Sequence, residues 1–328
     1  MMPFFLLLLV LFPLPALAFG PVAHVDMGLE VMAQAAGLGV GALLARYATD
    51  FLRGILAADR ELAKTVVPYK LHTHNWERSF HMYRGAKSDA ERAFFLGWLC
   101  HLAADWVAHA YFVPLRLVES YKARMAGHVY WELRYDVLAR QTCDPAVLKT
   151  LGMNERAHRK FLARVVPGPV LGSYLHVRIT GWAMALQRVR AYRAATDFVH
   201  RESHLVLPAA QYDEVRRLAI EAQLSVLRRL EDAPVVQMDP RGGRPAAVAV
   251  RLRRYLRRLA RLPETRAREQ EVERVMRQAR SYFKAVTLAG VKGRPMRARE
   301  PATGSLALLS RAAQKKTGQR SLKSRAAP

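Results

Sequence analysis

Residues able to hold a metal ion are gathered between His24 and Glu132 of this 328-residue chain. The densest group is His101-Leu-Ala-Ala-Asp105-Trp-Val-Ala-His109, set in a strongly apolar stretch. On a helix, positions i, i+4 and i+8 drift by about 40° per step, so the three polar side chains share one stripe. Such groups are costly on a greasy helix unless something satisfies them. Neutral imidazole and carboxylate are standard zinc ligands, which makes a shared metal site the economical reading. A second pair, His128 and Glu132, repeats the i, i+4 spacing. Upstream stand His24, Asp59 and the cluster His72-Thr-His74-Asn-Trp76. Each has an ordinary explanation when taken singly. A lone histidine on an apolar face is usually a satisfied core residue, and a His/Glu pair is usually a surface ion pair. Four regions supplying ligand types at usable spacing shift the balance toward metal. His81, His158, His176, His200 and His204 fit no such pattern and read as ordinary surface or core histidines.

Other chemistries find little support. Cys100 adjoins His101 but projects about 100° away from it on the same helix, so no Cys/His nucleophile pair forms there. No serine constellation stands out, and no glycine-rich phosphate loop is present. With only Cys100 and Cys143 the chain is not a disulfide scaffold, and the two read as buried thiols.

The elements that must position these residues are helical. Apolar residues recur at three- and four-residue spacing over 25–37, 40–56, 90–113, 129–138, 171–199 and 212–230. No convincing strand pairs occur, so the fold class is all-α, a multi-helix bundle. The run Asp239-Pro-Arg-Gly-Gly-Arg-Pro245 is the best boundary, which divides a helical domain over 19–235 from an extension over 236–328. Beyond that boundary 246–262 reads as an Arg-rich amphipathic helix and 264–285 as a charged one. From about Lys292 the chain has too little apolar material to repay ordering.

Charge is distributed unevenly. Of the net +25, the segment 236–328 holds +18, from 24 Lys/Arg against 6 Asp/Glu. Such an arm is expected to meet something anionic, either lipid headgroups or nucleic acid. At the other end, residues 1–18 form an apolar run closed by Ala16-Leu17-Ala18, the pattern of a secretory signal cleaved before Phe19. No Lys or Arg precedes that run, and an uncleaved anchor is the alternative. Export to the periplasm or the extracellular space is the expectation.

The order His24, Asp59, His74, His101-x3-Asp105-x3-His109, His128-x3-Glu132 resembles the bacterial zinc-dependent phospholipase C family, which is related in fold to the zinc-dependent single-strand nucleases. The resemblance covers about 19–140 well and the helical remainder loosely. It implies a helical bundle with up to three zinc ions in one cleft. One zinc would be held by Asp59, His74, His101 and Asp105, and a second by His109, His128 and Glu132. The third would be held by His24, a bridging Asp105 and the amino group and carbonyl of Phe19. His72 is a rival to His74, which is preferred because His-Asn-Trp resembles the family's pattern. The chain departs from the family in two places: relatives usually begin with Trp rather than Phe19, and the last histidine of the central motif stands at +8 rather than +10.

The implied reaction is phosphodiester hydrolysis by a metal-activated water, with Asp59 as the likeliest general base by resemblance. A free α-amine ligates metal only after the signal is cut, so the precursor would be inactive. Three functions compete: a phospholipase C acting on phospholipid headgroups, a single-strand nuclease, and a non-catalytic metal- or lipid-binding protein of the same fold. The segment 246–262 leans toward a membrane surface, although a helix packed on the bundle with a solvated Arg face explains it equally well.

Overall fold

The computed structural model describes residues 19–58, 74–123, 127–151, 190–295 and 299–304. The expected signal segment, Asp59 and His72 lie outside these residues, as do His158 and His176. Among the described residues every regular element is a helix. The α-helices are α1 (Pro21–Gln34), α2 (Gly41–Arg46), α3 (Ala48–Ala57), α4 (Trp76–Arg84), α5 (Asp89–Val107), α6 (Val113–Glu119), α7 (His128–Thr142), α8 (Pro145–Leu151), α9 (Arg190–Glu202), α10 (Ala209–Arg229), α11 (Gly243–Leu259) and α12 (Arg266–Lys292). None of the described helices is long and apolar enough to cross a membrane.

The bundle is organised around α5. Ser88 caps it, its Oγ accepting a hydrogen bond from the Glu91 amide, and from Glu91 to Val107 only Arg92 escapes burial. A helix buried all round needs partners on every side. On one side α3 crosses at Gly54 and Gly97, where the two backbones nearly touch. A Cβ on Gly97 would lie 2.0 Å from the Phe51 carbonyl oxygen, and one on Gly54 would lie 1.8 Å from that of Phe94. Only glycine permits an approach this close. Helix α10 and the short α4 also pack on α5.

The periodic run over 40–56 breaks into α2 and α3 at Tyr47, whose backbone leaves the helical region (φ −116°, ψ 38°). Further along, the helix expected from 246 begins at Gly243, and α12 extends to Lys292. These two helices of the basic segment pack on α6 and on the turn, residues 108–112, that joins it to α5. The ring of Trp106 in α5 fills the space above Gly290 of α12, and the Trp76 indole donates to the Met238 carbonyl at 2.9 Å. Residues 299–304 have no regular structure yet are tied down. Glu300 bridges Arg244 and Arg251 at 2.8 and 3.0 Å, and Pro301 is buried.

Candidate metal centre

Four buried side chains meet at the heart of the bundle. Asp105, on α5, turns Oδ2 toward the Nε2 atoms of His74 (3.2 Å) and His101 (3.3 Å), and Oδ1 toward Nε2 of His24 (3.2 Å). His74 and His101 stand 3.3 Å apart, Nε2 to Nε2. The rings of His24 and His101 are stacked at 4.1 Å, while His74 meets His101 edge-on at 5.3 Å. Exposure is 2 % or less for all four residues.

Each arrives from its own element. His101 and Asp105 are one helical turn apart on α5, as the i, i+4 spacing requires. His74 immediately precedes the cap of α4, where the Asn75 side chain accepts from the Arg78 amide, so the turn that aims the imidazole is fixed. His24 lies in the first turn of α1, whose start is held from below. The buried carboxylate of Asp136 on α7 accepts from the Ala23 amide at 2.8 Å and also from that of Val22. It sits so close to Gly20 that a Cβ there would fall 2.3 Å from the Asp136 Cγ. Phe19 is wholly buried, its ring 4.6 Å from that of Tyr135 and 5.7 Å from that of His24.

These spacings fit a metal ion better than a hydrogen-bonded core. Two nitrogens bound to one zinc at 2.0–2.1 Å in tetrahedral geometry must lie about 3.3–3.4 Å apart. The His74–His101 separation matches that figure and exceeds the usual hydrogen-bond range. The carboxylate faces imidazoles on both of its oxygens, which is the arrangement a ligand shared between two ions needs. Burial alone would raise the Asp105 carboxyl. The imidazoles of His101, His24 and His74 outweigh burial and hold it well below the usual carboxylate range, so the group is an anion at any physiological pH. Among the described residues, His24, His101 and Asp105 can each offer one ligand atom to a common ion.

The remaining candidates form a separate cluster. After Val107 the helix loosens into a π-helical turn, Ala108–Phe112, which contains His109. The stripe expected from the +8 spacing therefore divides. His101 and Asp105 face the inner cluster, and His109 faces His128, their ring centroids 5.1 Å apart and perpendicular. Such π-turns occur frequently at functional sites because they re-aim a single side chain. His128 in turn meets Glu132 at 2.9 Å. His109 and His128 are half-buried, whereas the inner four are closed off, so the centre opens to solvent on this side.

Two contributors escaped the sequence reading. Asp136 continues the spacing of His128 and Glu132 by another four residues, and that i, i+4, i+8 stripe is the signal that would have found it. Gly242, within the expected boundary run, lies against His109. It adopts φ +59°, and a Cβ there would fall 2.6 Å from the His109 carbonyl oxygen and 2.7 Å from its Cβ. The cysteines take no part. Both are free and buried, and burial pushes the Cys143 thiol up to about 12 and that of Cys100 higher still.

With this geometry in place, comparison with known families gives a single result. The sequence model of the zinc-dependent phospholipase C family matches residues 23–188, just over half of the chain, a span that includes every candidate ligand except Phe19. No curated protein and no solved structure matches the chain.

Proposed function

We infer, for a chain that belongs to the zinc-dependent phospholipase C family and is thus a zinc-dependent hydrolase of that type, that it cleaves the headgroup phosphodiester of phospholipids at a centre of up to three zinc ions. The observation that carries this reading is the Asp105 carboxylate set 3.2–3.3 Å from three imidazole nitrogens in a site closed to bulk water. His74, His101 and Asp105 would hold one ion, with Asp59 as a further ligand and the general base. His24, Asp105 and the amine and carbonyl of Phe19 would hold another, and His109, His128 and Glu132 the third. Zinc in these positions supplies Lewis acidity toward water and toward the phosphoryl oxygens.

The protein's own residues do the rest. Asp105 and Glu132 bring negative charge that offsets clustered cations, and the apolar walls of α5 strengthen these interactions by lowering the local dielectric. The half-buried His109 and His128 mark the side from which a headgroup enters. Removal of residues 1–18 on export would free the Phe19 amine, and the basic segment 236–328 would meet the anionic membrane that presents the substrate. A panel of phospholipids differing in headgroup, assayed for release of the phosphorylated headgroup with and without chelator, tests the reading. Chelator-sensitive release of at least one headgroup is expected. If zinc-loaded protein cleaves single-stranded DNA and no phospholipid, the nuclease reading replaces this one.

A further inference from the structure

The helix that follows the expected boundary meets the outer cluster at His109. Gly242, at its start, abuts His109. About three turns on, Arg253 donates to the Ala123 carbonyl at 2.8 Å and Arg257 to that of Tyr121 at 2.8 Å, in the chain that follows α6. Helix α11 therefore lies along the rim of the side on which the centre opens.

Its outer face is unusual. Val248, Leu252, Tyr255, Leu256 and Leu259 turn inward and are buried. Ala247, Val250, Arg251, Arg254 and Arg258 fall within about 100° of arc, and they and Arg261, in the turn after the helix, are all exposed. Arg251 is paired with Glu300, but Arg254, Arg258 and Arg261 take part in none of the ion pairs among the described residues. Among these guanidiniums Val250 stands 52 % exposed, one of only three large apolar side chains that are exposed among the described residues. Shallow grooves run along either side of the arginines, one past Tyr255 and Thr303 and the other past Leu117.

We propose that the outer face of α11 and the turn after it, carried by Val250, Arg254, Arg258 and Arg261, docks onto an anionic phospholipid surface and sets the open side of the metal centre against it. Arginines flanking an exposed aliphatic residue suit an interface where headgroup phosphates lie above acyl chains. Single-stranded nucleic acid fits less well. Its binding faces offer aromatic rings for base stacking, and the one aromatic residue of α11, Tyr255, is buried. The proposal rests on the phospholipid reading of the site, which it deepens by naming the face that meets the lipid.

The test measures partition of the zinc-loaded full chain onto vesicles of uncleavable phosphonate analogues, with and without an anionic headgroup. Zinc content and hydrolysis of a small soluble phosphodiester are measured beside it. A basic side chain near an anionic surface contributes roughly fivefold in partition, so the triple variant R254Q/R258Q/R261Q should bind anionic vesicles about 100-fold more weakly. It should keep zinc content and soluble hydrolysis, because none of the three touches the centre. V250N should lower partition with the charge unchanged. A control, R228Q/R229Q/R277Q, removes three exposed arginines from α10 and α12 and should bind nearly as wild type. Unchanged partition of the triple variant overturns the proposal, as does equal loss in the control. Loss of single-stranded DNA binding with vesicle binding intact also overturns it. Vesicle partition is read without turnover, so a protein that docks but hydrolyses no phospholipid sinks the functional reading and leaves the docking face standing.

Discussion

Asp105→Asn separates a metal centre from a hydrogen-bonded core. The amide keeps the shape of the side chain and removes its charge. Zinc in a complete protein site is bound with about 10–16 kcal/mol, so loss of one of four ligand groups, and an anionic one, gives up about 3 kcal/mol. At about 1.4 kcal/mol per decade that is roughly 100-fold in affinity. Because Oδ1 faces His24 while Oδ2 faces His74 and His101, two ions should weaken together. Without metal the outcome differs. The amide can still pair with the imidazoles around it, so the stability of the variant in chelator should stay within about 1 kcal/mol of wild type. The assay is thermal unfolding with chelator and with saturating zinc, beside zinc competition against a chromophoric chelator. Wild type should gain a large zinc-dependent rise in Tm, and Asp105→Asn should lose most of it while keeping its far-UV helicity. Equal zinc-dependent stabilisation in the two proteins would refute the assignment of Asp105. A variant that unfolds in chelator but not in zinc would show that its role is structural.

Three further outcomes follow from the geometry. Gly242→Ala must adopt φ +59° with its Cβ against His109, a strain of about 1–2 kcal/mol, and should deplete zinc at the His109–His128 cluster while leaving the helical fold; unchanged zinc content contradicts the contact. Gly97→Val drives two methyl groups into the Phe51 carbonyl and should cost about 3 kcal/mol or more in denaturant unfolding, so a neutral result means that α3 does not cross α5 there. Burial pushes Asp136 up to about 6, against the pull of the Ala23 and Val22 amides and of Arg140. Its folded value thus lies above its unfolded one, near 3.9, and its contribution to stability is full below about pH 4 and is lost, to the extent of about 3 kcal/mol, as pH rises through 6. Asp136→Asn cannot ionise, so the difference in stability between wild type and variant should slope across that window; a constant difference rejects the shift.

What the sequence made legible was local. His101 and Asp105 are neighbours because a helix places i and i+4 together, and the same spacing gave His128 and Glu132. The helical class followed from apolar periodicity, and no strand occurs among the described residues. His24 and His74 reach Asp105 across 81 and 31 residues, a distance no periodicity encodes, and only the family resemblance joined them to it. The parting of His109 from the stripe depends on a π-turn, which differs from an α-turn by one hydrogen-bond register and leaves no mark in composition. The crossing at Gly54 and Gly97 looked like two weak helix formers inside apolar runs, because their value lies in the partner helix. The boundary at Asp239–Pro245 is a turn, but its glycines also bring α11 against His109, which a composition shift cannot reveal.

The central claim is that these side chains are zinc ligands, and the most direct test is the zinc-to-protein ratio of the purified, exported chain after dialysis against metal-free buffer. The account predicts about three zinc ions per chain, all held by nitrogen and oxygen ligands. Less than about one per chain after growth in ample zinc would contradict it.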